Sequence, residues 1–345
     1  MRRLFPAPYE IAAYSWSLWA YIILANLPVS YPILETVRQS FQVFWRFLLL
    51  AIVTVVLSVI LRPLLSRKRR GEWSALVRNS KLTDLQFWSD LLRITLALIT
   101  ASLFHFLLKS SIYLINPRTW DPQLMRLDRA VHFGISPSLF LLELFKSPVA
   151  YRAIDFYYAT LYGVIVVTYP SIFAAVAGKQ LRRAFATAFV LVMILGWIGY
   201  ATLPSWGPVF IQPQEFQTSL RYMPMTVRIQ SQLFEETSSL VRNPLAGRRI
   251  VYGGIAAFPS LHVAILTLFA LVSRRISRGW FKVNVLLILF MILGSVVTGY
   301  HYLIDAYAGL VLGWGAYRIG DFWVKRWERD VNDEEPTETT VPGQA

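Results

Sequence analysis

Long apolar runs alternate with short basic segments along this chain of 345 residues. Runs of the length needed to cross a bilayer, about 20 residues each, fall near 9–27, 43–61, 91–112, 152–174, 184–203, 256–273, 283–300 and 302–323. The first is the weakest, because Glu10 and Asn26 interrupt it. It either spans or lies flat at the interface. No convincing small-residue cleavage site follows it, so a cleavable signal peptide is not expected. The pattern predicts an all-α fold, a polytopic transmembrane helical bundle.

Basic residues orient the bundle. With eight spans, one side receives Arg2 and Arg3, the segment Arg62 through Lys81, Lys179, Arg182 and Arg183, the segment Arg274 through Lys282, and Arg318, Lys325, Arg326 and Arg329. These amount to 20 basic residues in mostly short segments, against 12 on the other side in longer ones. The denser side is expected to be cytoplasmic. Both termini then lie in the cytoplasm, and two large loops, 113–151 and 204–257, face outward. A non-spanning first run would flip only the N-terminus.

Composition agrees with a membrane protein: 55% of the residues are hydrophobic and 16% charged, with 12 Trp, 17 Tyr and 22 Phe. A soluble fold carries nearer a quarter charged residues and could not hide this much apolar surface. Disordered chains lack such aromatic content. With no Cys, disulfides and thiolate metal sites are excluded. The net charge of +14 is read as topogenic charge, not as a footprint for nucleic acid. Residues 327–345, acidic and interrupted by Pro336, Pro342 and Gly343, read as a disordered tail.

The outer loops are where chemistry is expected. Residues 116–137 place Leu124, Leu127 and Val131 at helical spacing, which predicts a short amphipathic helix on the outer leaflet. The loop at 204–257 opens with PSWGP and ends with RNPLAGRRIVYGG, and its Pro and Gly residues predict irregular backbone instead of a long helix. His262 stands in AAFPSLHVA at the outer end of the sixth run, and His301 in GYHYLIDAYAG between the seventh and eighth. Asp305, four residues after His301, shares its helical face and can accept the ring N–H, fixing the tautomer. The topology puts both histidines on one side although 39 residues separate them.

Two His and one Asp suit phosphoryl transfer, with His301 attacking phosphorus and His262 first protonating the leaving oxygen, then serving as base for water or an alcohol. A zinc site would want further, tightly grouped ligands. A Ser–His–Asp hydrolase using Ser260 lacks the G-x-S-x-G turn. His105, mid-span, reads as a packing residue, and amphipathic spacing accounts for His132, Asp121 and Asp128. A non-catalytic transporter or scaffold remains an alternative, although transporters tend to place ionisable residues near the midplane rather than at an edge.

PSLH at 259–262 and HYLID at 301–305 resemble the second and third signature motifs of the type 2 phosphatidic acid phosphatase superfamily. AFPSLH, YATLPSWGP at 200–208 and WDPQLMRLDRAVHFG at 120–134 are more similar to its inositol phosphorylceramide synthase-like branch. The resemblance covers roughly residues 85–325. It implies a six-helix core at 85–326 behind N-terminal membrane helices and a basic loop at 1–84, no metal or other cofactor, and a phosphohistidine intermediate. It also implies a phospholipid or lipid-phosphate substrate, with His301 as nucleophile, His262 as acid and base, Asp305 as orienting carboxylate and Ser260 as a phosphate contact. The preferred activity is transfer of a phospho-headgroup to a lipid alcohol at the extracytoplasmic face; the alternative is hydrolysis of a lipid phosphate or polyprenyl diphosphate.

Two departures stand out. The family's first motif (Lys, six residues, then Arg-Pro) is not found, since Lys179 with Arg182 and Arg183 lies on the wrong side. Gly294 and Ser295 occupy the positions where Ser-Arg usually precedes the third-motif His. A phosphate still needs positive charge. Arg242, Arg248 and Arg249 are the nearest cations in sequence to Ser260 on the outer side, with Arg248 or Arg249 preferred. Asp155, at the start of the fourth run, is a candidate for binding a polyol.

Overall fold

The computed structural model describes residues 6–29, 84–245 and 254–333, with scattered positions between 38 and 57. Every element among them is helical. The longer helices, in chain order, are α1 (Pro8–Ala25), α2 (Leu85–Ser110), α3 (Asp121–Val131), α4 (Pro137–Leu144), α5 (Pro148–Phe156), α6 (Tyr162–Val176), α7 (Lys179–Thr202), α8 (Pro224–Arg242), α9 (Leu261–Arg274), α10 (Arg278–Val297) and α11 (Leu303–Asp333). Four segments are long and apolar enough to cross a membrane: Leu85–Ser110, Pro148–Ala174, Lys179–Thr202 and Arg278–Val297. The expected run at 43–61 falls largely outside the described residues.

Large apolar side chains face outward along these helices, among them Leu18, Leu289, Val311 and Phe322, each more than half exposed. Such an apolar exterior is at home only in a hydrocarbon solvent. With little hydrophobic drive between helices in lipid, close packing of small residues takes over. In α11, Gly309 lies against the Ser260 carbonyl, Gly313 against that of Ala264, and Gly320 against the α7 backbone at Ala188. A Cβ at these positions would collide with backbone, so α11 meets α9 and α7 at a distance only glycine permits.

Helix α1 runs lengthwise beside α2 and α7. Ala12, Ala13 and Ala20 of α1 and Ala97 and Ala101 of α2 are buried between them. Trp16 donates its indole N–H to the Ala101 carbonyl (3.2 Å), and Trp16 and Trp19 pack on Trp197 of α7. Glu10 closes the start of α1 by accepting from the Ala7 N–H and pairs with Arg93. The polar residues that weakened this run in the sequence are thus satisfied within the bundle, and α1 shares the core of the helices from 85 onward.

Two expectations need correction. The acidic tail was expected from 327, yet α11 continues to Asp333. Glu328 accepts from Gln180 (2.8 Å) and pairs with Arg183, which gives the extra turns a partner; residues 334–345 lie outside the described ones. The second loop was expected to lack a long helix, yet α8 has 19 residues. Pro224 stands within its first turn, where a proline costs nothing. Its free N-terminal N–H groups find an acceptor far away in sequence: Asp155 accepts from Met225 (3.1 Å) and Thr226 (2.7 Å).

The glycine contacts give a test. Gly313→Leu should lower the melting temperature in detergent, overpacking of this kind costing about 1–3 kcal/mol. Gly315→Ala, where a Cβ meets nothing within 4 Å, should leave it unchanged or slightly raised. Differential scanning fluorimetry of the two variants checks both.

Candidate active site

The site forms where α7, α9 and the α10–α11 connection converge. Ser260 precedes α9, and its N–H donates to the Asp305 carbonyl (3.0 Å), joining the starts of α9 and α11. That contact brings His262 and His301 together, with ring centroids 5.7 Å apart and planes at 74°. Asp305 lies one turn after His301, completely buried, and its Oδ2 is 3.3 Å from His301 Nδ1 and accepts from the Tyr302 N–H at 3.0 Å. Burial, reinforced by the Lys109 ammonium, pushes the His301 ring down to about 3, against an opposing hydrogen bond to the Ala257 backbone. The ring is therefore neutral near pH 7.

Aromatic rings wall the pair. A π-turn at Tyr157–Leu161 joins α5 to α6. Across this turn Tyr158 and Tyr162 both reach His262, at 5.3 and 4.8 Å between ring centroids, and Tyr300 stacks on Tyr158. Such single π-turns recur at functional sites, where they shift the helical register. Below the rings a cavity of about 570 Å³ extends between α2, α6, α7 and α9, lined by residues from His262, His301 and Lys109 at one end to Arg182 at the other.

An outer brace holds the site in register. Asp121, at the start of α3, accepts from the N–H groups of Trp206 and Gly207 and from the Tyr302 hydroxyl (3.1 Å). Asp128, two turns on, accepts from the Ile304 N–H at 3.0 Å. Gly207 has φ +98° and lies against the Tyr300 carbonyl, so the PSWGP turn needs glycine there. Ser205 completes the knot, accepting from Ala257 through its carbonyl and from Phe258 through its hydroxyl.

His262, His301, Asp305 and Ser260 are therefore together. Arg248 and Arg249 lie outside the described residues. Arg242 is exposed near the end of α8 and donates to the Ser238 carbonyl. Asp155 is buried and occupied with the N-terminus of α8, where it anchors a helix instead of presenting a free carboxylate to a polyol. No group of three or more His, Asp or Glu suited to holding a metal ion occurs among the described residues. His132 bonds the Tyr307 hydroxyl at 3.0 Å, and Asp121 and Asp128 serve the brace.

The residue that sequence reasoning missed is Lys109. It lines the cavity with both histidines, its ammonium lies 5.4 Å from the centre of the Tyr200 ring, and it has no carboxylate partner among the described residues. A signal was present: Lys109 is followed, after six residues, by Asn116–Pro117. That is the first-motif spacing with Asn in place of Arg, and Asn116 is engaged with the Ala201 carbonyl at 2.9 Å.

A family model of the PAP2 superfamily matches residues 122–319, more than half of the chain. The chain belongs to the PAP2 superfamily. Members act on phosphate esters as phosphatases or phosphotransferases, so the protein is an enzyme and the transporter or scaffold alternative falls away. No curated protein and no solved structure matches it significantly. In PAP2 terms the match includes His262, His301 and Asp305 and begins after Lys109.

The brace makes a prediction. Asp121→Ala strands two backbone N–H groups and the Tyr302 hydroxyl, and each orphaned donor costs about 1–3 kcal/mol. Activity should fall by about 10- to 100-fold, mainly in kcat, because the His301 turn loses its register. Steady-state kinetics on protein that still elutes as a folded species checks this.

Proposed function

We propose that this enzyme is a lipid phosphotransferase that moves a phospho-headgroup from a phospholipid to a lipid alcohol through a phosphohistidine. The observation that carries the reading is a set of buried polar atoms with no partner among the described residues: Ser260 Oγ, His262 Nδ1, Tyr158 OH and Tyr300 OH. Buried polar groups are almost always paired. Tyr158, His262 and Tyr300 line one cavity with Lys109, and most of its remaining wall is apolar, which fits an anionic headgroup with a hydrocarbon tail.

In the first step a His301 ring nitrogen attacks phosphorus, and the bond from phosphorus to the diacylglycerol oxygen breaks. His262 gives that oxygen its proton. In the second step His262 takes the proton of the acceptor hydroxyl, whose oxygen attacks phosphorus and releases His301. Asp305 orients the His301 ring and offsets its positive charge in the intermediate. Lys109 and Ser260 steady the phosphoryl oxygens, replacing the arginines suggested by sequence proximity.

Two features favour an alcohol over water as acceptor. Helix α8 roofs the cavity, contributing Thr226, Ile229 and Leu233 to its wall, and is tied down by Asp155 and by Gln230 donating to the Thr298 carbonyl at 2.8 Å. The segments AFPSLH and YATLPSWGP also resemble the inositol phosphorylceramide synthase-like branch. Hydrolysis of a lipid phosphate or polyprenyl diphosphate is the second reading, since water would use the same two steps.

Purified enzyme given a headgroup-labelled phospholipid, with and without a long-chain lipid alcohol, separates the two. Label should appear on the alcohol, and release of free headgroup phosphate alone would exclude transfer. His301→Ala and His262→Ala should each lower turnover by at least about 100-fold. Label should remain on His262→Ala protein as an acid-labile, base-stable adduct. Adding a chelator should leave the rate unchanged.

A further inference from the structure

A row of aromatic rings runs from the outer surface to the reacting histidines. Phe234 of α8 packs on Trp206 and Phe210, with ring centroids 5.8 and 6.0 Å away, and lies nearly parallel to Phe210. Phe210 meets Tyr300 edge-on at 6.4 Å, Tyr300 stacks on Tyr158, and Tyr158 reaches His262. Tyr113, buried just after α2, stacks on the far side of the row against Trp206 at 4.9 Å. Burial increases inward: Phe234 is 48% exposed, Trp206, Phe210 and Tyr300 are half-buried, and Tyr158 is buried. Trp206, Tyr300 and Tyr158 line the cavity together with His262 and His301, and Phe210 and Phe234 stand behind them.

The outer end of this row meets a polar surface. Arg228, Ser231, Gln232 and Glu235 of α8 are all exposed, and Phe234 stands among them. The residues that seat α8 on the bundle, Thr226, Gln230, Thr237 and Leu240, are buried on its inner face. Helical spacing puts Phe234 beside that face instead of on it, at the seam between α8 and the PSWGP turn. Gly207 in that turn, next to Trp206, lies against the Tyr300 carbonyl, so the seam leads to the turn that carries His301. A half-exposed phenyl ring adds little to the seating of α8, but it does fill this seam.

We propose that Phe234, Trp206 and Phe210 form a hydrophobic seal that keeps outer water off the phosphohistidine and so sets the partition between transfer and hydrolysis. The inference rests on the phosphotransferase reading. In its second step either acceptor forms a P–O bond while the bond from phosphorus to His301 breaks, and gives its hydroxyl proton to His262. Water can do all of this and is far more abundant than any lipid alcohol, so a transferase must exclude it from the intermediate. Elsewhere among the described residues the cavity wall is mostly apolar helix within the bundle, which leaves the seam beside α8 as the side that faces the aqueous loops. Phe234 touches no reacting atom; through Trp206 and Phe210 it decides which acceptor arrives.

The test gives the full-length enzyme a headgroup-labelled phospholipid together with a long-chain lipid alcohol, and reads the ratio of free headgroup phosphate to labelled alcohol. That ratio does not depend on how much of the protein is active, so a substitution that merely destabilises the fold leaves it unmoved. Phe234→Ser, which opens the seam and adds a hydroxyl to pass water inward, should raise the ratio by about 10-fold. Phe234→Ala should move it in the same direction and decides the matter if the serine variant does not fold. Phe234→Leu, which refills the seam, should stay within about two-fold of wild type. Val241→Ser, at a residue 45% exposed near the end of α8 and away from the rings, should leave the ratio unchanged. A ratio that stays within about two-fold of wild type in both Phe234→Ser and Phe234→Ala, or an equal rise in Val241→Ser, overturns the seal. Failure of the underlying reading looks different: wild-type enzyme would put no label on the alcohol, and the seal would fall with it.

Discussion

The hydrogen bond from the Ser260 N–H to the Asp305 carbonyl ties together the two helix starts from which the reactive side chains emerge. It forms because α11 can come within backbone distance of α9, and that approach depends on Gly309 and Gly313 lying against the carbonyls of Ser260 and Ala264. In a lipid solvent apolar burial contributes little to helix association, so such contacts must supply both cohesion and position. The result is that a packing rule of membrane helices also sets the spacing of His262 and His301. Adding a methyl group to α11 there would push on the same backbone that carries Ser260.

Around this junction the polar groups fall into two sets. Asp121, Asp128 and Asp155 are buried but occupied, each taking up N–H groups of a distant turn or helix start. Ser260 Oγ, His262 Nδ1, Tyr158 OH and His105 Nε2 are buried and have no partner among the described residues. The first set makes the chain adopt one register; the second is left for something the chain itself does not provide. The division matters because a carboxylate with no partner would repel a phosphate, and here the outer carboxylates nearest the site are spoken for by backbone. Asp305 has one oxygen on His301 and Tyr302, so in the proposed reaction it faces the ring that becomes cationic.

Much of this was legible in the sequence because it is local. PSLH and HYLID place His262, His301 and Asp305 within a few residues of span edges, and the topology argument put those edges on one side. The basic residue was harder. Lys109 ends an apolar run, where a lysine reads as a membrane anchor, and the Asn at 116 hid the first-motif spacing. Proximity in sequence pointed to Arg248 or Arg249, which lie outside the described residues, and then to Arg242, which ends α8 exposed. Helix α8 itself was not legible, since its N-terminus is capped by Asp155, 70 residues upstream. Asp155 looked like a candidate for ligand binding because the sequence shows a carboxylate but not which N–H groups it will meet.

The positive charge of the whole chain says little about the chemistry, and the position of one cation says much. By the sequence reading, most of the +14 balance is topogenic charge flanking apolar runs, where water and headgroups would screen it. Lys109 lines a cavity with low-dielectric walls and has no carboxylate beside it among the described residues. An ammonium there is least favourable when the cavity is empty and most favourable when a phosphate lies next to it, because the same dry surroundings that penalise a lone charge strengthen a pair. That difference increases further as negative charge gathers on the phosphoryl oxygens, which is where it lowers a barrier and not merely a dissociation constant. In the proposed reaction a single lysine inside the bundle can therefore supply the positive charge that a phosphate needs.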